Sequence, residues 1–246
     1  MWEGASLWLM EALAASDNSV NATDFHAHHA VQLTFSLGGQ FELHTLDQTI
    51  SADAAVAPDV SHMFKAVGPV AILFIEPESR AGRSIARRLF DKTALSAVPP
   101  DLAADLIERL KLAANGADKS GASLIALGKS LVARLAGDVE AELPDPRVQK
   151  IGAYVAARLD GRITLIAAAR SVGLSPGRVR HLFVQQTGLP FRTYLLWLRM
   201  MTAVGVFAGG GSLTEAAHEA GFSDSAHFSR TFRRMFGIPA ASLRMT

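Results

Sequence analysis

The chain contains 246 residues, of which 49% are apolar and 19% charged, and this balance excludes a disordered or fibrous protein while allowing one large or two modest domains. The absence of cysteine excludes disulfide frameworks, thiolate metal sites and cysteine nucleophiles. No uncharged apolar run reaches the roughly 18 residues of a membrane-spanning helix, and no lysine or arginine precedes Lys65 to form the positive region of a secretory signal. We therefore expect a protein of the reducing cytoplasm that has no membrane partner.

The net charge of +1 is unevenly divided along the chain. Residues 1–146 contain 11 Lys and Arg against 19 Asp and Glu, whereas residues 147–246 contain 13 against 4, and 12 of those 13 are arginine. Arginine matches the geometry of phosphates and guanine edges better than lysine does. The second half is therefore predicted to meet a polyanion, and chance segregation of surface charge is the alternative.

Residues 25–77 are predicted to form β structure. Apolar and polar residues alternate from Val31 to Leu37, Gly38-Gly39 marks a turn, and the alternation continues from Phe41 to Thr45. The apolar run from Val70 to Ile75 is typical of a buried strand. Short strands separated by turns in so small a segment predict a barrel or a sandwich.

The hydrophobic period becomes helical from about residue 79. Three apolar stripes follow, at residues 85–90, 102–110 and 124–135. Because these stripes are longer than a small barrel covers, we expect a homodimer formed in the N-terminal half. Residues 142–147 contain two prolines where the charge changes sign, which indicates a linker.

The last 100 residues contain the same unit twice. Landmark residues recur at a nearly constant spacing: Thr164 and Ser212, and Gly173 and Gly221, are 48 apart, whereas Phe183 and Phe232, Gly188 and Gly237, and Pro190 and Pro239 are 49 apart. One residue is therefore inserted, and we place it within the second recognition segment. A repeat with this many landmarks indicates duplication of one structural unit.

Each copy has the parts of a helix-turn-helix, at about residues 164–187 and 212–236. Thr164 and Ser212 are predicted to cap the first helix of each unit, and Gly173 and Gly221 supply the positive φ of the turn. Ser175 and Ser223 are the predicted caps of the second helices. A long helix from Pro190 to Ala208 joins the units, so one chain would read two successive major grooves about 34 Å apart.

The second helix of each unit is predicted to present base-reading side chains. These are Gly177, Arg178, Arg180 and His181 in the first unit, and Ser225, Ala226, His227, Ser229 and Arg230 in the second. Arginine makes two hydrogen bonds to guanine, serine and histidine make single ones, and a small residue meets a thymine methyl group. Arg192, Arg233, Arg234 and the helix N-termini are predicted phosphate contacts. The alternative is two purely structural helix pairs.

Residues 146–244 resemble the AraC/XylS family of bacterial transcription regulators, most specifically in Gly221-FSDSAHFSRTFRRMFGIPAASLR244. The resemblance implies a sequence-specific regulator whose partners are double-stranded DNA, RNA polymerase and an effector. It also places the family's base-contact positions on a set of outward residues: Gly177, Arg180, His181, Ser225, Ala226, His227, Ser229 and Arg230. Gly177 departs from the larger side chains common at its position. The related DNA-repair proteins need a methyl-accepting cysteine, so that branch is excluded.

A second cluster of polar residues begins at Asp24. In a strand, His26, His28 and Gln32 share one face, and His62 could complete a site for nickel, copper or zinc. The spacing resembles a cupin, with Gln32 where a glutamate is usual and Asp59 in the usual glycine region. The alternative is that these imidazoles line a ligand pocket.

The resemblances together imply an α+β protein in three parts. These are a cupin-like sensor barrel at residues 1–78, a helical linker and dimerisation segment at 79–145, and an all-α DNA-binding domain at 146–246. The expected function is effector-responsive transcription regulation and not catalysis. A metal-dependent cupin enzyme fused to a DNA-binding domain is the alternative, and the missing glutamate ligand argues against it.

Overall fold

Antiparallel strand pairing organises the N-terminal half of the chain. The computed structural model describes residues 4–12, 21–91, 93–116, 121–137, 145–159 and 161–242, and the chain divides into a first unit, residues 1–141, and a second unit, residues 142–246. The strands described in the first unit are β1 Ala5–Ala12, β2 Asn21–Ala22, β3 Val31–Ser36, β4 Gln40–His44, β5 Thr49–Ile50, β6 Ala54–Val56, β7 Met63–Ile75 and β8 Leu95–Ala97.

The strands form a nearly closed barrel, as the sequence predicts. Their order is β5-β4-β7-β3-β6-β8, with β1 and β2 also paired to β7, and the pairings are antiparallel. The two ends of this path, β5 and β8, contact each other. Strands β1, β2 and β8 lie outside the predicted β segment. Pairing of β1 and β2 with β7, and of β8 with β6, decides their conformation, and their own hydrophobic period does not.

The long strand β7 changes partners at a glycine. Its residues 63–67 pair with β4, and its residues 70–75 pair with β3. Between them Gly68 has a φ of +89°, and a Cβ added to Gly39 of the β3–β4 turn would fall on the carbonyl oxygen of Val67. The two backbones therefore touch directly, which requires glycine at both positions.

Strand β3 is buried on both faces, and this positions the polar cluster. Leu33 belongs to an apolar cluster that includes the helices α1 Arg80–Leu89, α2 Pro100–Asn115 and α3 Gly121–Ala136. Gln32 pairs across the sheet with Val56, which belongs to the separate cluster inside the barrel. Because side chains alternate along a strand, Gln32 points into the barrel while Leu33 faces the helices.

The helices after residue 79, in the segment predicted as a helical linker and dimerisation segment at 79–145, belong to the first unit. Ile85, Leu106, Leu110 and Leu131 are buried in one cluster with the strands β3 and β7. Strand β8 also lies inside this range and pairs with β6. Apolar stripes that look like a linker in sequence are therefore the second layer of the barrel domain.

The second unit contains six α-helices in its described residues. They are α4 Pro146–Ala156, α5 Leu165–Ser171, α6 Pro176–Thr187, α7 Phe191–Ala208, α8 Leu213–Glu219 and α9 Ser225–Phe236. The pairs α5–α6 and α8–α9 fall within the predicted 164–187 and 212–236. Tyr194 of α7 packs on Phe183 of α6, with ring centroids 5.0 Å apart, and Trp197 lies 6.4 Å from Phe236 of α9. One long helix thus contributes to both hydrophobic cores.

In the part of the chain that the structure describes, no helix combines the length and apolar character needed to cross a membrane.

Candidate nucleic-acid interface and histidine centre

The first helix-turn-helix has the predicted caps and turn. The Thr164 hydroxyl accepts the Ala167 N–H at 3.2 Å and begins α5, and the Ser175 hydroxyl accepts the Arg178 N–H at 3.3 Å and begins α6. Between the helices Gly173 has a φ of +67°. Each of these interactions spans three residues or fewer, which is why the sequence predicts them.

The second helix-turn-helix differs at one cap, where the prediction is wrong. Ser212 and Glu215 form the expected capping box at the start of α8. Asp224, and not Ser223, caps α9, because its carboxylate accepts the His227 N–H at 2.6 Å. Ser175 and Asp224 are 49 residues apart, so the inserted residue is Ser223, in the turn and not in the recognition helix.

The predicted base-reading side chains lie above a buried apolar layer. Val179 and Phe183 of α6 and Phe228 and Phe232 of α9 are buried. The predicted contact residues are exposed or half-buried: Gly177, Arg178, Arg180, His181, Arg192, Ala226, Arg230, Arg233 and Arg234 are exposed, and Ser225, His227 and Ser229 are half-buried. The arginines of both recognition helices therefore reach solvent.

His227 is held in one orientation by its neighbours. The Ser223 hydroxyl donates to Asp224 Oδ2 at 3.1 Å, and Ser223 Oγ also lies 3.1 Å from His227 Nδ1. Because that hydroxyl has one hydrogen, Nδ1 is the donor in this contact and Nε2 is left as an acceptor. The ring also packs edge-on against Phe222, with centroids 5.2 Å apart. An acceptor at this position suits the amino group of cytosine or adenine.

Inside the barrel, three histidines converge as predicted. His26, His28 and His62, here called the histidine centre, are buried, and each offers a ligand atom within 4.8 Å of the other two. His26 and His62 exchange two backbone hydrogen bonds of 2.9 Å. The continuous strand expected over residues 26–32 does not form, because β3 begins at Val31 and the His28 carbonyl accepts the Asp59 N–H.

The hydrogen bonds of the histidine centre leave lone pairs inside the barrel. His26 Nδ1 donates to the Asp24 carbonyl and His62 Nδ1 donates to the Val60 carbonyl, each at 2.8 Å. Each Nε2 of these two rings is then an acceptor, which is the arrangement of metal-bound histidines. Gln32 Oε1, itself an acceptor, lies 3.2 Å from His62 Nε2 and 2.9 Å from His28 Nε2. Two acceptors facing each other favour a cation between them.

Burial keeps the histidine centre uncharged. It lowers the pKa of His26 and, together with the neighbouring imidazoles, lowers the pKa of His28 well below its usual value. The pKa of His62 falls to about 4, first through burial and then through His26. Neutral imidazole is the form that binds transition metals, so this donor set fits such an ion.

His29, which the sequence leaves unassigned, has a different role from the histidine centre. Its Nδ1 lies 2.9 Å from Asp59 Oδ2 and its Nε2 lies 3.3 Å from Glu78 Oε2. Burial opposes its protonation, but the hydrogen bonds and charges of Asp59 and Glu78 outweigh burial and raise the pKa of His29 to about 9. Asp59 has a φ of +62° at the position where the cupin pattern usually has glycine. The imidazolium joins three segments of the barrel domain.

An open groove in the first unit is a feature that sequence reasoning missed. It has a volume of about 760 Å³, and its lining includes Phe41, Glu42, Asp53 and Lys65. Burial raises the pKa of Asp53, whose carboxylate accepts the Ser36 N–H at 2.9 Å. Strand pairing brings Glu42 opposite Lys65, so residues distant in sequence give this groove both signs of charge.

Comparison with known proteins identifies a family model and relatives that each match part of the chain. A family model described as a helix-turn-helix domain matches residues 168–246. The HTH-type transcriptional activator RhaS of Escherichia coli is 39% identical over 79 residues, which are 32% of this chain and 28% of RhaS. The transcriptional activator RhrA of Rhizobium meliloti is 28% identical over 107 residues, which are 42% of this chain and 34% of RhrA. The chain thus spans about a third of the length of the curated relatives it matches.

Solved structures resemble the chain over nearly its whole length. ToxT from Vibrio cholerae O395 has a TM-score of 0.58 at 11% identity, covering 98% of both chains. ToxT from strain SCE256 with a bound unsaturated fatty acid has a TM-score of 0.52 at 11% identity, covering 96% of this chain and 92% of that one. At these identities the likeness shows the fold, a β-barrel domain followed by a helix-turn-helix domain.

Proposed function

We propose that this chain, whose residues 168–246 match a helix-turn-helix family model, is a sequence-specific transcription regulator of the AraC/XylS family that binds double-stranded DNA with two recognition helices. The observation that carries the proposal is the pair α6 and α9, each with exposed arginines above a buried aromatic layer. The 18-residue helix α7 between the two helix-turn-helix pairs is about 27 Å long, which suits the reading of adjacent major grooves. Such a protein acts in the cytoplasm, where the chromosome is.

The proposed contacts divide by chemistry. Base edges are assigned to two sets, Gly177, Arg178, Arg180 and His181 on α6 and Ser225, Ala226, His227, Ser229 and Arg230 on α9, and phosphates to Arg192, Arg233 and Arg234. A Cβ added to Gly177 would meet nothing within 4 Å. Packing therefore does not require glycine there, and the exposed backbone allows DNA to approach closely.

Selection from a random duplex library by the full chain tests the proposal. We expect two enriched blocks whose centres are about 10–10.5 base pairs apart, one for each recognition helix. Fluorescence anisotropy on the selected duplex and on a scrambled duplex then measures specificity. A library that yields no enriched motif at moderate salt contradicts the proposed function.

The first unit is the proposed sensor of this regulator. ToxT, which has the same fold, is known with a bound unsaturated fatty acid, and here the groove beside Lys65 offers a place for a small charged effector. A thermal-shift screen of small metabolites, with Lys65→Ala as a variant, identifies the ligand class.

We also propose that the regulator forms a homodimer through the first unit and contacts RNA polymerase at its promoters. The AraC/XylS family consists of regulators and not enzymes, so the cupin-enzyme alternative is not retained.

The histidine centre supports a second proposal for the sensor, binding of nickel, copper or zinc. His26, His28 and His62 would hold the ion, with Gln32 as a fourth, weaker ligand than the usual carboxylate. A bound ion would supply a cross-link between the two bridged segments that carry His26 and His62 and the strand β3 that carries Gln32.

Elemental analysis of untagged protein, followed by calorimetry with each metal, tests this second proposal. His62→Ala should abolish uptake of one ion. His44→Ala is the matched control, because His44 lies outside the histidine centre and bonds to Glu42 and Thr49. If wild type takes up no metal, or if both variants take up metal as wild type does, the histidines serve as pocket lining.

A further inference from the structure

Arg199 links the two helix-turn-helix units of the chain, and it is not one of the proposed DNA-contact residues. It follows Trp197 and Leu198 on α7. Trp197 lies near Phe236 of the second helix-turn-helix, and Leu198 contacts the apolar cluster of the first helix-turn-helix. Its Nη2 donates to the Gly161 carbonyl at 2.8 Å, in the loop between α4 and α5. The guanidinium of a residue on α7 is thus tied to the segment that enters the first helix-turn-helix.

The turn of the second helix-turn-helix packs on the same loop. A Cβ added to Gly221 would fall on the Leu159 carbonyl oxygen and would come within 3.0 Å of Arg199 Nη2. Backbone therefore meets backbone at this point, and the Arg199 guanidinium lies against both. We call this contact between the two helix-turn-helix units of residues 142–246 the interunit contact. It is formed by Leu159, Gly161, Arg199 and Gly221.

The first copy of the repeat provides a direct comparison. Gly173 occupies the same place as Gly221, with a φ of +67° against +72°, yet a Cβ added to Gly173 would meet nothing within 4 Å. The turn itself therefore requires only a positive φ. The close packing at Gly221 is a second reason for glycine there. It arises from contact with Leu159 and Arg199 at the junction between the two helix-turn-helix units.

We infer that the interunit contact fixes the orientation of the second recognition helix relative to the first and thereby sets the spacing of the DNA blocks that the chain accepts. This inference rests on the proposed function. One base pair added between two blocks rotates the second by about 34° and moves it by about 3.4 Å. A rigid junction cannot follow that change, whereas a loose junction follows it at little cost. Arg199 and Gly221 are therefore positioning residues for DNA recognition.

A rigid junction also raises affinity without any new contact to DNA. Once one recognition helix is bound, the second is already placed over its block, so its binding is intramolecular and costs little ordering. Loosening the junction therefore weakens binding to two blocks while leaving binding to a single block nearly unchanged. A loss of base or phosphate contacts would weaken both.

The experiment uses the full chain and the duplex selected by wild type. Its probes are that duplex, duplexes with one base pair inserted or removed between the blocks, and a duplex with one block scrambled. Arg199→Met and Gly221→Ala disrupt the interunit contact from its two sides, and Arg199→Lys tests rescue by a residue that still donates to Gly161. Gly173→Ala is the control, because it introduces the same backbone strain without a clash.

We expect wild type to lose about tenfold or more in affinity when the spacing changes, and Arg199→Met and Gly221→Ala to lose only about two- to threefold. Both variants should bind the selected duplex more weakly and the single-block duplex as wild type does, with Arg199→Lys between them and wild type. Gly173→Ala should keep the wild-type spacing penalty, so general destabilisation is distinguished from a loosened junction. An unchanged spacing penalty in both Arg199→Met and Gly221→Ala overturns the inference alone. A wild-type chain that selects no two-block motif overturns the proposed function and the inference with it.

Discussion

Arg180 and Arg230 are exposed on the first and the second recognition helix, respectively. We predict that replacing either with alanine costs about 1–3 kcal/mol on the selected duplex and relaxes the preference at one base pair. The reason is that two hydrogen bonds to one guanine are lost. Anisotropy titrations against duplexes substituted at each position measure both effects.

Arg233, near the end of α9, is one of the residues proposed to contact DNA phosphates. Arg233→Ala should weaken binding to all sequences alike and reduce the slope of log affinity against log salt by about one. The same titrations, repeated on scrambled DNA over a range of salt, give this slope. Equal losses on specific and scrambled DNA for Arg180→Ala and Arg230→Ala as well would refute the division into base and phosphate contacts.

His29 predicts a pH dependence of the stability of the first unit. Its pKa is about 9 in the folded chain against an ordinary 6.5, so the folded state binds this proton more tightly than the unfolded state does. The resulting stabilisation, on the order of 3 kcal/mol, is fully present below pH 6.5 and is lost as pH rises through 9.

Urea unfolding at pH 7 and pH 9.5 measures this loss. With Trp2 and Trp197 both replaced by phenylalanine, the remaining tryptophan, Trp8, is buried in the first unit, so fluorescence follows that unit. The His29→Gln variant should be less stable at pH 7 and should lose less stability than wild type at pH 9.5. An equal loss in both proteins would show that His29 is not the group responsible.

At the scale of single elements, α9 depends on Asp224 and not on the neighbouring serine. Asp224→Ala should lower the melting temperature of the second unit by a few degrees, because the His227 N–H loses its acceptor at the helix start. Ser223→Ala removes only side-chain contacts, those with Asp224 and His227, and should change the melting temperature much less. Thermal unfolding followed by Trp197 fluorescence compares the two variants, and equal effects would contradict Asp224 as the cap.

At the scale of the whole molecule, the helical layer of the first unit predicts a homodimer. Leu112 of α2 is 74% exposed, and burying it against a second copy would remove apolar surface from water. Leu112→Lys should therefore shift the full chain from dimer to monomer in light scattering at micromolar concentrations. Leu46→Lys is the control, because Leu46 is 87% exposed in the turn after β4 and should leave the dimer intact. A monomeric wild type would contradict the prediction.

The assembly of the barrel was predictable only in part. The alternation from Val31 to Leu37 predicts β3, but it does not predict that both faces of β3 are buried. That depends on helices α1 to α3 covering one face while Gln32 points into the barrel. The same helices read as a separate linker in sequence, since an apolar stripe does not say which partner covers it.

The helix-turn-helix units were predictable from sequence, because caps such as Ser175 and turns such as Gly173 act over three residues or fewer and leave a local pattern. The contacts between distant segments depend on tertiary packing. Three such contacts join residues that share no periodicity. They are the backbone hydrogen bonds between His26 and His62, the ion pair of His29 with Glu78, and the packing of Gly221 on Leu159. Their geometry arises when barrel closure and helix packing bring separate stretches of backbone together, and a linear pattern does not encode that proximity.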